Sequence, residues 1–148
     1  MKDINLISLT QAAKDLSKNS FKTFRNYYDI NISDSEIKDL ENLIAIIKNN
    51  FRDSTLFNHF FVGYTIPQIS KEFDLLRFGN NYIINIELKN KKSKSKIEKQ
   101  LKQNRDYLRF MNKRVFYFCY VSENNLLYQL IDDDLKSVSL NILKCVHG

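Results

Sequence analysis

The sequence has no tryptophan, one proline, three glycines and two cysteines in 148 residues. So little Gly and Pro excludes collagen-like and linker-rich chains. The two cysteines, Cys119 and Cys145, show neither zinc-ligand spacing nor a disulfide framework. No apolar run approaches the roughly 18 residues of a membrane span. The N-terminus, MKDINLISLTQAAKDLS, lacks the charged-then-apolar pattern of a signal peptide. The cytoplasm is the expected location, with no membrane partner. No Gly-rich loop leads into Lys-Ser or Lys-Thr, so no Walker-type phosphate cradle is present. Internal repeats and interdomain linkers are missing as well.

What is present is globular: 43% hydrophobic and 27% charged residues, in a length suited to one compact domain. The formal net charge is +6, and its placement matters more than its size. From Glu87 to Arg114 there are eleven Lys and Arg against three acids (Glu87, Glu98, Asp106). The rest of the chain is slightly acidic. A block of this kind reads either as a footprint for a polyanion or as a solvated, lysine-rich helix face.

Periodicity gives the elements. One or two helices are expected over 8–28. A clearer one spans 34–50, with Asp34 or Ser35 as cap and Ile37, Leu40, Ile44 and Ile47 as its apolar stripe. Strands are expected at 57–66, 71–78 and 82–89, then a helix at about 95–112. Two more strands follow, VFYFCYVS and NLLYQLI. The acids Asp132–Asp134 read as the start of a last short helix. The expected fold is α/β: a mixed sheet of about five strands with helices on both faces. One domain is expected over 1–148, made of a helical extension (1–33), a core (34–131) and a C-terminal helix (132–148). The end shortly after a helix suggests a piece of a longer protein.

The densest chemistry lies in EFDLLRFGNNYIINIELK, Glu72–Lys89. Side chains alternate along a strand. A two-residue turn at Asn80–Asn81, or a four-residue loop from Gly79 to Tyr82, sets Asp74 opposite Glu87 and Glu72 opposite Lys89; a two-residue turn at Gly79–Asn80 pairs Glu72 with Glu87, and a three-residue loop separates the acids. Tight turns favour the even lengths. The other face, Phe73, Leu75, Ile84, Ile86 and Leu88, is apolar and core-like. Like charges facing across a strand pair destabilise it. A divalent cation relieves that, and carboxylate oxygens suit Mg²⁺ or Mn²⁺. Lys89 shares the face and is placed to orient a water or steady a phosphate. The competing reading is a plain salt-bridge cluster neutralised by Lys89.

On the following helix, Ile97, Leu101, Leu108 and Met111 form the apolar stripe. Gln100, Asn104 and Tyr107 share it, and Gln103 lies at its edge, four residues before Tyr107. Inward polar groups need partners: the carboxylates and their water, or simply buried backbone.

An Asp on one strand, Glu-x-Lys on the next (Glu87-Leu88-Lys89) and a helix with an inward Gln together resemble the PD-(D/E)XK nuclease superfamily. The resemblance covers about residues 34–131 and implies a restriction-endonuclease-like sheet. Phe73 stands where the superfamily's Pro precedes the Asp. Gln103-x-x-x-Tyr107 matches its Gln motif, with Gln100 an equal candidate by wheel position. Many members add a Glu from the first core helix; Glu41 is the choice here and Glu36 the second. The resemblance implies a metal-dependent phosphodiesterase acting on DNA; RNA is the alternative nucleic-acid partner. It implies Asp74, Glu87 and the Leu88 carbonyl as Mg²⁺ or Mn²⁺ ligands, and Lys89 as the residue that positions the attacking water. Lys91, Lys92, Lys94, Lys96, Lys99, Lys102, Arg105 and Arg109 would hold the nucleic-acid backbone. The chain is also similar to N-terminal nuclease domains fused to helicase-type ATPases in bacterial defence proteins. A fused or associated ATPase and self-association are the corresponding protein partners. The rival expectations are a nucleic-acid-binding module that kept the fold with little or no catalysis, and a protein-interaction domain.

Overall fold

The structure is a computed structural model and describes residues 2–50 and 54–145. In chain order the elements are α1 (Leu6–Asp15), α2 (Lys18–Tyr28), α3 (Asp34–Asn50), a 3-10 turn (Ser54–Phe57), β1 (Phe60–Ile66), β2 (Lys71–Phe78), β3 (Tyr82–Lys89), α4 (Lys94–Leu108), β4 (Arg114–Val121), β5 (Leu126–Ile131), β6 (Asp134–Val138) and α5 (Ile142–Cys145). The six strands form one mixed α/β sheet in sequential order. All neighbours are antiparallel except β3 and β4, which are parallel and joined by α4. A parallel pair needs a crossover of this kind, because a tight turn cannot reverse the chain twice.

The sheet has one strand more than the five expected. Residues 132–148 do not begin as a helix: Asp132 takes a left-handed turn (φ 55°) and the chain returns as β6, paired with β5 from Ile131–Asp134 to Leu127–Val138. Among the described residues, a single helical turn, α5, follows β6. Residues 1–33 do not stand apart as an extension. Ile4 bridges to Phe60, and Leu6 and Leu9 are buried in the common core.

Each face of the sheet has its own core. On one, α1 and α3 pack with Ile84, Ile86, Leu88, Phe118 and Tyr120. On the other, α4 contributes Ile97, Leu101 and Leu108 against Leu76, Ile83, Tyr117 and Cys119. A fully buried side chain of this size contributes about 1.5–3 kcal/mol. Ile83 to Leu88 of β3 are all buried, as expected of a strand covered on both faces.

Alternation in β2 breaks at Asp74. Phe73, expected on the face of Leu75, packs instead with Leu76 and α4. By register, Gly63 of β1 lies opposite Asp74, between the pairs Val62–Leu75 and Tyr64–Phe73. Gly63 has φ 70°, and a Cβ there would meet the Asn31 carbonyl oxygen at 2.5 Å. Only glycine allows both that conformation and that approach, so the bend that turns Phe73 over is written into β1. No helix among the described residues is long and apolar enough to cross a membrane.

Candidate catalytic site

The β2–β3 hairpin closes with an even turn. Gly79 N–H donates to the Tyr82 carbonyl (2.8 Å), leaving Asn80–Asn81 as the loop. The ladder then runs Phe78–Ile83, Arg77–Ile84, Leu76–Asn85 and Leu75–Ile86, and stops. Beyond it the two carboxylates take over the pairing. Asp74 N–H donates to Glu87 Oε2 (3.0 Å), and Leu88 N–H donates to Asp74 Oδ2 (2.9 Å). The two acids therefore face each other in the expected register, locked by each other's strand. They are 6% and 1% exposed.

Burial and the neighbouring Glu87 charge push the Asp74 carboxyl up to about 9, helped by a hydrogen bond with Glu36. Glu87 is also raised, chiefly by burial, against the Asn85 amide, the Asp74 N–H and the charges of Lys89 and Lys71. At Glu36 burial works upward, but hydrogen bonds from Asp74 and Ser33 and the Lys89 charge outweigh it and hold its carboxyl below the usual range. The consistent picture is a protonated Asp74 donating to an ionised Glu36, since three crowded carboxylates cannot all stay charged.

Glu36, not Glu41, supplies the carboxylate from the first core helix. Glu41 lies on a surface shared with Ala13, Phe21 and Lys38, away from the hairpin. Glu36 is held by a capping box with Ser33, the true cap of α3. Ser33 Oγ accepts from Glu36 N–H (3.1 Å), and Glu36 Oε1 accepts from Ser33 N–H (2.9 Å). The pattern Ser-x-x-Glu was present in the sequence and could have identified it.

On α4, Gln100 rather than Gln103 enters the site. Gln100 Nε2 donates to Glu87 Oε1 (2.7 Å), and Lys92 Nζ donates to Gln100 Oε1 (2.6 Å). Gln103 is exposed, because three residues of helix rotate it off the inward stripe. The Tyr107 ring faces Lys71 Nζ at 5.7 Å. Two amides complete the support. Asn85 Nδ2 donates to Glu87 Oε2 (3.0 Å) and to the Leu75 carbonyl (3.2 Å). Asn104 Nδ2 donates to Asn85 Oδ1 (2.8 Å), while Asn104 Oδ1 is buried without a hydrogen-bond partner. Asn85 went unremarked in the sequence, although alternation puts it on the face of Glu87.

Lys89 is half-buried at the end of β3, and its charge acts on Glu36, Glu72 and Glu87. The facing of Glu72 and Lys89 is not part of the backbone ladder, which ends at Leu75–Ile86. Glu72 is exposed and accepts from Asn31 Nδ2 (3.3 Å). Among the basic residues, Lys91, Lys94, Lys96 and Lys99 are exposed. Lys102 pairs with Glu98 (3.5 Å), Arg109 with Asp106 (3.9 Å), and Arg105 is tied to Asp133 (3.0 Å) at the β5–β6 turn. His59 precedes β1 rather than lying in it, and its Nδ1 is 3.1 Å from Asp3.

The donor set is hard oxygen throughout, which fits Mg²⁺ or Mn²⁺ in type. Among the described residues, no group of three His, Cys, Asp or Glu side chains is already spread to hold a metal ion. The Asp74–Glu36 hydrogen bond draws those two acids together instead. Comparison with family models, with curated proteins and with solved structures gives no match.

Proposed function

We propose that this chain is a Mg²⁺- or Mn²⁺-dependent nuclease that hydrolyses phosphodiester bonds of DNA. The observation that carries the reading is the end of the β2–β3 ladder. There two buried carboxylates, Asp74 and Glu87, interlock in place of backbone pairs, with Lys89 two residues on. A structural hairpin gains nothing from burying two carboxyl groups at its heart, one of which must hold a proton to stay there. The order α3–β1–β2–β3–α4–β4, with β3 and β4 parallel, supports a restriction-endonuclease-like core of the PD-(D/E)XK type.

Asp74 and Glu87 would hold the metal, with Glu36 beside Asp74. A bound Mg²⁺ or Mn²⁺ supplies a more acidic water and neutralises charge on the phosphate. Gln100 and Asn85 fix the two Glu87 oxygens in direction. Lys89 can donate to the attacking water or to a phosphate oxygen. The exposed lysines of the 91–99 segment hold the backbone, which makes binding salt-sensitive and poor at reading sequence. A cleavage assay with and without Mn²⁺, comparing wild type with Lys89→Ala, tests the assignment. Metal-dependent cleavage by wild type and its loss in the variant are expected; equal cleavage by both proteins sinks the site.

One observation favours a second reading, a nucleic-acid-binding module with little catalysis. Among the described residues, no group of three His, Cys, Asp or Glu side chains is spread to hold a cation. Salt-sensitive binding in EDTA, with no cleavage under any divalent ion, would select it. Partnership with an ATPase in a defence system is a proposal at the level of resemblance only. Association of the chain with such an enzyme in a co-purification would support it.

A further inference from the structure

Three lysines from three elements share the buried carboxylates as charge neighbours: Lys89 from β3, Lys92 from the loop into α4, and Lys71 from β2. Lys89 belongs to the Glu-x-Lys pattern, and Lys92 is occupied by Gln100. Lys71 has no such role. It is half-buried in the first position of β2, opposite Ile66. Its Nζ lies 5.2 Å from the ring centroid of Phe73 and 5.7 Å from that of Tyr107. Among the described residues it forms no ion pair; Asp74 and Glu87 attract it from a distance and Lys89 repels it. A lysine kept for solubility would extend into water, and one kept for stability would reach a carboxylate. Two aromatic walls instead hold this ammonium in place while leaving its N–H donors unspent. The break in alternation at Asp74 makes the arrangement, because it turns Phe73 towards α4 and Tyr107.

We propose that Lys71 is a phosphate-binding residue of the reaction site, holding the nucleic-acid backbone from the β2 side, with Phe73 and Tyr107 as the residues that position it. This rests on the nuclease reading above. It adds a cationic contact from an element outside the lysine-rich segment, so the backbone is gripped from two sides of the carboxylates. A lysine acts there as a point charge and adds affinity without base preference.

The test uses an end-labelled short oligodeoxynucleotide, with cleavage followed in Mn²⁺ and binding in EDTA over a range of salt. Wild type, Lys71→Met, Lys71→Arg and Lys89→Ala are compared. Lys71→Met keeps the apolar stem against the rings. It is expected to raise KM and Kd about threefold to tenfold and to lower the log–log salt slope by about one, with kcat moved far less than by Lys89→Ala. Lys71→Arg should recover most of the binding. An active wild type with unchanged KM, Kd and slope in Lys71→Met overturns the inference and leaves the nuclease reading standing. A Tm lowered with the slope intact marks Lys71 as structural and also overturns it. A wild type that neither binds nor cleaves overturns both.

Discussion

The two halves of the β2–β3 hairpin are built from the same strands and held by different means. From the turn to Leu75–Ile86, backbone pairs close the ladder and the side chains are apolar except Arg77, which donates to the Asn58 carbonyl and Tyr82 Oη, and Asn85, which donates to Glu87. From Asp74 and Glu87 onward, side-chain carboxylates replace the backbone acceptors. The first half needs nothing further. The second buries charge that it neutralises only with a proton and distant lysines. The difference teaches where function sits: the closed half sets the register, and the open half spends that register on a cluster of acids.

The comparison breaks most sharply at Glu87. Glu87→Gln keeps the shape and removes the charge, and its single amide oxygen can accept either from Gln100 or from Asn85 and Asp74 N–H, but not from both sides. Cleavage should fall on the order of a thousandfold. A variant that cleaves normally contradicts the role of the open half.

The two halves should also differ in their response to pH. The folded pKa of Asp74 lies above its unfolded value, so between about 4 and about 9 the folded state binds more protons than the unfolded one. Stability of the metal-free protein therefore falls as pH rises through that window. Asp74→Asn should flatten the fall, measured by urea denaturation at several pH values. Substitutions of the apolar residues in the closed half should leave the slope unchanged.

In the closed half, Leu75→Ala should cost about 3 kcal/mol by urea denaturation, since Leu75 is fully buried. Its activity per folded molecule should stay near wild type. The smallest effect is expected at Ser33. Ser33→Ala removes the capping box and should cost about 1 kcal/mol, with a partial loss of activity as Glu36 is released. A stability loss with activity wholly intact would place Glu36 outside the chemistry.

The hairpin was legible in the sequence because parity is strict: once the loop is Asn80–Asn81, Asp74 and Glu87 must face each other. Helical positions were less determined. Glu36 and Glu41 both border the α3 stripe, and only the Ser33 capping box separates them. Gln100 and Gln103 both border the stripe of α4, and the Gln-x-x-x-Tyr spacing drew attention to the one that faces solvent. β6 was missed because DLKSV is short and partly polar, and because acids before an apolar residue look like a helix cap; the left-handed Asp132 that makes a hairpin there leaves no such mark. Lys71 was not seen at all, because its placement depends on the bend at Gly63 and Asp74 rather than on any local pattern.

The most direct test of the open half is thermal unfolding of wild type and Glu87→Gln at pH 8, with and without Mn²⁺. A cation that takes the place of the Asp74 proton stabilises only the folded state. The account predicts that Mn²⁺ raises the wild-type Tm and leaves Glu87→Gln unmoved. Equal shifts in both proteins, or none in either, would contradict it.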